Sequence, residues 1–140
     1  MVQAKVRLVK NMQFTGSTDS GHNLLMDADA AAGGENQGFR PMELLLVGFG
    51  GCTGMDVISI LRKKKQQISG LEMNIHGDKN EDYPKIYRKV HIEYVITGTN
   101  VRNEDVERAI QLSLEKYCSV GATLAKAGTI THSHRIIEKE

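Results

Sequence analysis

The sequence contains no tryptophan, and its four tyrosines and three phenylalanines make up only 5% of the chain. So few flat side chains leave little for bases to stack on. An excess of one charge is missing too: 18 Lys and Arg against 17 Asp and Glu give 18 − 17 = +1. A phosphate backbone is bound by a surplus of cations, so nucleic acid is not the expected partner. Cysteine occurs only twice, at Cys52 and Cys118, far below the density of a disulfide-stapled secreted domain. The first residues, Met1-Val2-Gln3-Ala4-Lys5-Val6-Arg7, hold neither an apolar signal core nor a small-residue cleavage site. The most apolar stretch, Leu44 to Met55, reads as too short to span a bilayer and is studded with glycine. These absences predict a cytoplasmic protein with no membrane partner, whose cysteines rest as thiols unless they have a redox task.

What is present fits one domain over residues 1–140. With 40% hydrophobic and 25% charged residues the chain is expected to fold as a globule. Val2, Ala4, Val6 and Leu8 alternate with polar residues, the period of a half-buried strand. Further strands are expected over Met12 to Thr15 and His22 to Asp29, followed by a glycine-rich loop from Ala30 to Arg40. Pro41 suits the first position of a helix. From Leu44 to Leu61 that helix is apolar on nearly every side, as a buried helix is. Gly48, Gly50, Gly51 and Gly54 lie inside it, each destabilising by about 1 kcal/mol relative to Ala. Close approach of another backbone would explain them. The basic run Arg62 to Lys65 suits the helix C-terminus, where cations meet the dipole, and reads as a solvated end.

Strand patterns return over Leu71 to Ile75 and Ile86 to Ile96. Asn103 is the expected N-cap of a second helix carrying Val106, Ala109, Ile110, Ser113 and Tyr117 on one stripe. Cys118-Ser119 interrupts it, Val120 to Ala127 forms a short further helix stopped by Gly128, and Thr129 to Ile137 closes the chain as a strand. The order βββ-α-ββ-α-α-β describes an α+β domain.

Two cysteines carry the chemistry worth weighing. Cys52 sits in Phe49-Gly50-Gly51-Cys52-Thr53-Gly54, among residues with small side chains or none, so a substrate or second chain can approach its sulfur. A thiol reacts as its thiolate, and an ordinary pKa of about 8.5 must be lowered for that. The plain alternative is a small buried hydrophobe. Cys118 lies at a helix junction; Ser119 as cap would place it before an N-terminus, where a partly lowered pKa is expected. Together they have the form of a nucleophile and a resolving partner. His132 and His134 share one strand face at a spacing able to hold a metal. No CxxC or HExxH motif accompanies them, and an exposed strand face is the expected reading. No phosphate-binding glycine loop or GxSxG elbow is present.

Two segments resemble one family. The run Arg40-Pro41-Met42-Glu43-Leu44-Leu45-Leu46-Val47-Gly48-Phe49-Gly50-Gly51-Cys52 resembles the Cys-bearing helix of the OsmC/Ohr superfamily (osmotically inducible protein C and organic hydroperoxide resistance protein). Leu112-Ser113-Leu114-Glu115-Lys116-Tyr117-Cys118-Ser119-Val120 resembles its second motif. The Pro-Met-Glu-Leu and Cys-Thr-Gly-Met-Asp-Val forms look most like the YhfA-like branch. The resemblance implies an OsmC-like α+β fold with antiparallel strands wrapping two central buried helices, in an intertwined homodimer whose helices cross at Gly48, Gly51 and Gly54.

It further implies a thiol-dependent peroxidase acting on organic hydroperoxides without cofactor or metal. Cys52 would attack the peroxide, Cys118 would resolve to a disulfide, and a dithiol such as a lipoylated protein would reduce it. Glu43 is the candidate for the supporting carboxylate. The family places that Glu immediately after the Pro, however, and pairs it with an Arg. Here Met42 follows Pro41, Glu43 falls about 100° further round the helix, and neither Arg7 nor Arg40 matches the Arg by spacing. The alternative is therefore a non-catalytic OsmC-like protein that binds a small molecule or thiol.

Overall fold

A computed structural model describes all 140 residues. It contains six strands and three α-helices, with two compact units, Met1–Leu45 and Leu46–Glu140. The first unit is a three-stranded antiparallel sheet of β1 (Ala4–Lys10), β2 (Gln13–Thr18) and β3 (Asn23–Met26), in the order β1-β2-β3. Leu8 pairs with Phe14, and Phe14 with Met26, which aligns one apolar row across the strands. A short 3₁₀ turn, Ala30–Ala32, follows.

The loop after β3 is held by one side chain. The Asp27 carboxylate accepts the backbone N–H groups of Ala28 at 2.7 Å and of Glu35 and Gln37 at 3.1 Å each. Burial opposes its ionisation, but those bonds and the nearby Arg40 charge outweigh it, leaving its pKa below the ordinary 3.8. The loop delivers the chain to α1 (Pro41–Lys63).

The start of α1 follows from its sequence. Pro41 takes the first helical position, and Glu43 reaches back to accept the Arg40 backbone N–H at 2.8 Å, one half of a capping box. At the far end Lys65 N–H bonds to Arg62 O and Gln66 N–H to Leu61 O, a Schellman closure with Lys65 at φ 62°. The helix is 23 residues, longer than the apolar run suggested. It is long and apolar enough to cross a membrane, yet Phe49, Val57 and Leu61 are fully buried within the second unit.

The second unit is a sheet in the order β4-β5-β6, formed by β4 (Gln67–Lys79), β5 (Tyr87–Thr99) and β6 (Thr129–Glu138). β4 and β5 are antiparallel, whereas β6 runs parallel to β5. The sheet is thus mixed where antiparallel pairing was expected. A parallel neighbour needs a crossover, and α2 (Asn103–Leu112), a π-helical turn (Ser113–Tyr117) and α3 (Ser119–Ala125) supply it. Ile92, Tyr94 and Ile96 on β5 pack into the same core as Val106 and Ile110 of α2.

Three local expectations are corrected. The cap of α2 is Arg102, with Asn103 already helical. The glycines of α1 do not admit a backbone within this chain. A Cβ on Gly50 would meet the Ile75 side chain at 2.8 Å and one on Gly54 the Met73 side chain at 2.6 Å, while Gly48 and Gly51 face open space. Nor is α1 buried all round: Met55 is 73% and Val47 57% exposed.

Candidate active site

Cys52 lies in the middle of α1 and Cys118 at the end of the π-helical turn, 66 positions later in sequence. The fold brings Cys52 close enough to the Cys118 thiol to raise its pKa. Their surroundings differ. Cys52 is half-buried, whereas Cys118 is only 3% exposed.

The π-turn is what delivers Cys118. α2 runs into Ser113 without a stop, and the wider turn from Ser113 to Tyr117 closes with Cys118 N–H on Ser113 O at 2.7 Å. Cys118 then leaves the helical conformation (φ −77°, ψ 98°) and becomes the N-cap of α3 itself. Its sulfur accepts the Gly121 N–H at 3.2 Å, so Cys118 performs the capping expected of Ser119. A Cβ on Gly121 would meet Phe49 at 3.0 Å and the Cys118 sulfur at 3.2 Å, so any larger residue there would press on both.

The expectation of a lowered Cys118 pKa is overturned. Burial pushes the thiol up to about 12; the Gly121 N–H opposes this, while Cys52 and Asp56 add to it. Proximity to a helix N-terminus does not offset removal from water.

Beside the pair runs a chain of hydroxyls that the sequence reading did not single out. Ser113 Oγ donates to Asp56 Oδ2 at 2.8 Å and lies 2.6 Å from Thr53 Oγ1, which lies 2.8 Å from the Tyr94 hydroxyl. Ser113 has one hydroxyl hydrogen, and it is given to Asp56. Thr53 must therefore donate to Ser113, and Tyr94 to Thr53. Burial pushes the Tyr94 phenol up to about 12, with Cys118 and Asp56 adding to it against the Thr53 bond, so it keeps the hydrogen it donates. The available signals were Asp56, an acid one turn after Cys52 in an apolar helix, and Thr53 and Ser113 on core-facing positions.

Glu43 is engaged at the start of α1, nine residues before Cys52 and so about 13.5 Å away along the axis. Arg40 donates to Gly38 O at 3.1 Å and Asn36 Oδ1 at 2.8 Å within its own loop. His134 Nε2 bonds to Asn103 Oδ1 at 2.8 Å. No three His, Cys, Asp or Glu side chains gather as a metal site would require.

The family described as OsmC-like protein matches residues 34–133, which contain both cysteines. The chain belongs to the OsmC-like family. Protein YhfA of Escherichia coli K12 is 36% identical over 136 residues, covering 97% of this chain and 98% of YhfA. A hypothetical protein from Aquifex aeolicus VF5 has a TM-score of 0.87 at 34% identity, covering 100% of this chain and 98% of its own. The organic hydroperoxide resistance protein OsmC from Legionella pneumophila shares the fold with a TM-score of 0.71 at 17% identity, covering 96% of each chain. The OsmC-like α+β fold expected from the two motifs is the fold observed.

Proposed function

We propose that this OsmC-like protein is a thiol-dependent peroxidase that reduces organic hydroperoxides through Cys52 and Cys118. The observation that carries the reading is the nearness of the two thiols, one half-exposed and one buried. The accessible Cys52 sulfur attacks the peroxide O–O bond; an S–O bond forms, the alcohol leaves with a proton, and Cys52 becomes a sulfenic acid. Cys118 displaces the sulfenic oxygen as water and closes a disulfide. A dithiol such as a lipoylated protein then reopens it by two exchanges, itself becoming oxidised. The hydroperoxide resistance named for the Legionella relative supports the substrate class. Glu43 serves the helix start within one chain, so the proposal rests on the two cysteines.

The same reading includes a homodimer in a reducing cytoplasm. Exposed Val47 and Met55 on α1, and an apolar cavity of about 570 Å³ in the first unit lined by Val6, Met12, Phe14 and Met26, support a second copy as the covering partner.

Counting free thiols after one equivalent of cumene hydroperoxide tests the chemistry. A fall from two thiols to none, with an intramolecular disulfide by mass spectrometry and no turnover in Cys52→Ser, is expected. Two thiols persisting for minutes would overturn it and leave the binding-protein alternative.

A further inference from the structure

Three buried hydroxyls and a carboxylate flank the cysteine pair without a part in the chemistry so far. Thr53, Ser113 and Tyr94 are fully buried, and a buried hydroxyl is destabilising unless bonded. Here every hydroxyl hydrogen points one way along the chain, towards Asp56. Asp56 lies one turn after Cys52 on the same face of α1. Ser113, which donates to Asp56, also holds the Cys118 N–H on its carbonyl. One carboxylate is thereby tied to both cysteine-bearing segments.

Closing the disulfide requires such a group. Cys118 must lose its S–H proton, and a thiol raised to about 12 has almost no thiolate at neutral pH. The Gly121 N–H can stabilise charge on sulfur but accepts no proton. Ser113 bonds Asp56, Thr53 and Tyr94 reach it through the hydroxyl chain, Cys52 lies one turn before it on α1, and its charge acts on the Cys118 thiol. Lys63, Lys64 and Tyr117 share with Asp56 an open recess of about 400 Å³. The lysines are cations without a lone pair, and the three chain hydroxyls are committed as donors. Asp56 is left as the carboxylate able to receive the proton.

We propose that Asp56 takes up the Cys118 proton as the disulfide closes, with Ser113, Thr53 and Tyr94 as positioning residues that aim the carboxylate. The step balances. The Cys118 S–H bond breaks and its proton goes to Asp56; the sulfur electron pair forms the S–S bond to Cys52. The Cys52 S–O bond breaks, and the departing oxygen takes the proton from Asp56 and leaves as water. The redox setting rests on the two-cysteine reading above, but proton uptake from Cys118 can be read without peroxide.

The test uses an aromatic disulfide that releases coloured thionitrobenzoate. Attack by Cys52 releases one equivalent and leaves a mixed disulfide; attack by Cys118 on that bond releases the second. Asp56→Asn is expected to slow the second release about 100-fold, with Asp56→Glu restoring much of it and Ser113→Ala slowing it about tenfold. The wild-type second phase should change little between about pH 6 and pH 8, whereas in Asp56→Asn it should rise about tenfold per pH unit. A carboxylate acting only as a repelling charge predicts the opposite sign, since its removal would ease ionisation of Cys118. A second phase unchanged or faster in folded Asp56→Asn overturns the proposal, as does no second phase in the wild type. Should Asp56→Asn not fold, a tenfold-per-unit rise in the wild-type profile would also overturn it. A protein inert to cumene hydroperoxide but showing these phases would refute the peroxidase reading alone.

Discussion

The two three-stranded sheets solve the same problem differently. In the second unit, β5 carries Val90, Ile92, Tyr94 and Ile96, all buried beneath helical residues such as Phe49, Val57, Val106 and Ile110. In the first unit, β1 carries Val6 and Leu8 in equal alternation, yet Val6 is 59% and Leu8 55% exposed. Alternation marks the face a strand would bury; it does not say what will bury it. A crossover of two helices and a π-turn follows β5 in the chain, whereas only a loop and the first turn of α1 follow β3.

The contrast can be broken most strongly at Phe49. Truncation to Ala should destabilise the protein by about 3–5 kcal/mol, read as a fall in the urea midpoint, because a fully buried ring is removed beside Gly121. Val6→Asp should have little effect on that midpoint at high dilution, where exposed positions count for little. It should instead move sedimentation from twice the 15.5 kDa chain mass towards a single chain. Wild-type protein sedimenting as a 15.5 kDa species at micromolar concentration would remove the second copy from the account.

A smaller effect is expected at Asp27, which organises the loop of the first unit. Its pKa lies below 3.8 when folded, so its contribution is fully present above that value and is lost as pH falls through the lower folded value. Asp27→Asn should lower the melting temperature at neutral pH, and the gap from wild type should narrow on acidification below about pH 4. A gap that widened in acid would contradict this sign. The smallest change belongs to the end of α1. Lys65 holds a positive φ that glycine adopts freely, so Lys65→Gly should stabilise by up to about 1 kcal/mol in urea titration.

Much of this architecture was legible in the residues. Pro41 and the basic run at 62–65 bounded α1, and most strands fell close to their observed limits, although β4 runs from Gln67 to Lys79, four residues beyond the Leu71 to Ile75 pattern at each end. The two motifs around Cys52 and Cys118 pointed to the family and its fold. The parallel placement of β6 was not legible, because strand patterning carries no direction; its partner is chosen by the path of the crossover. The role of Cys118 as a cap was hidden as well, since Ser119 is the commoner capping residue and only the φ and ψ values show where the turn ends. The bond from Ser113 to Asp56 was not legible either, because the two residues lie 57 positions apart and only the packing of α1 against the π-turn joins them.

The sequence by itself determined the elements, the family and the two residues with nucleophilic chemistry, because periodicity, caps and motifs are local properties of the chain. Only the tertiary structure decided that the two cysteines come close, that one is accessible and the other sealed, and that three hydroxyls point towards one carboxylate. Those features depend on burial and hydrogen-bond direction between residues distant in sequence, and both are set by how the elements pack.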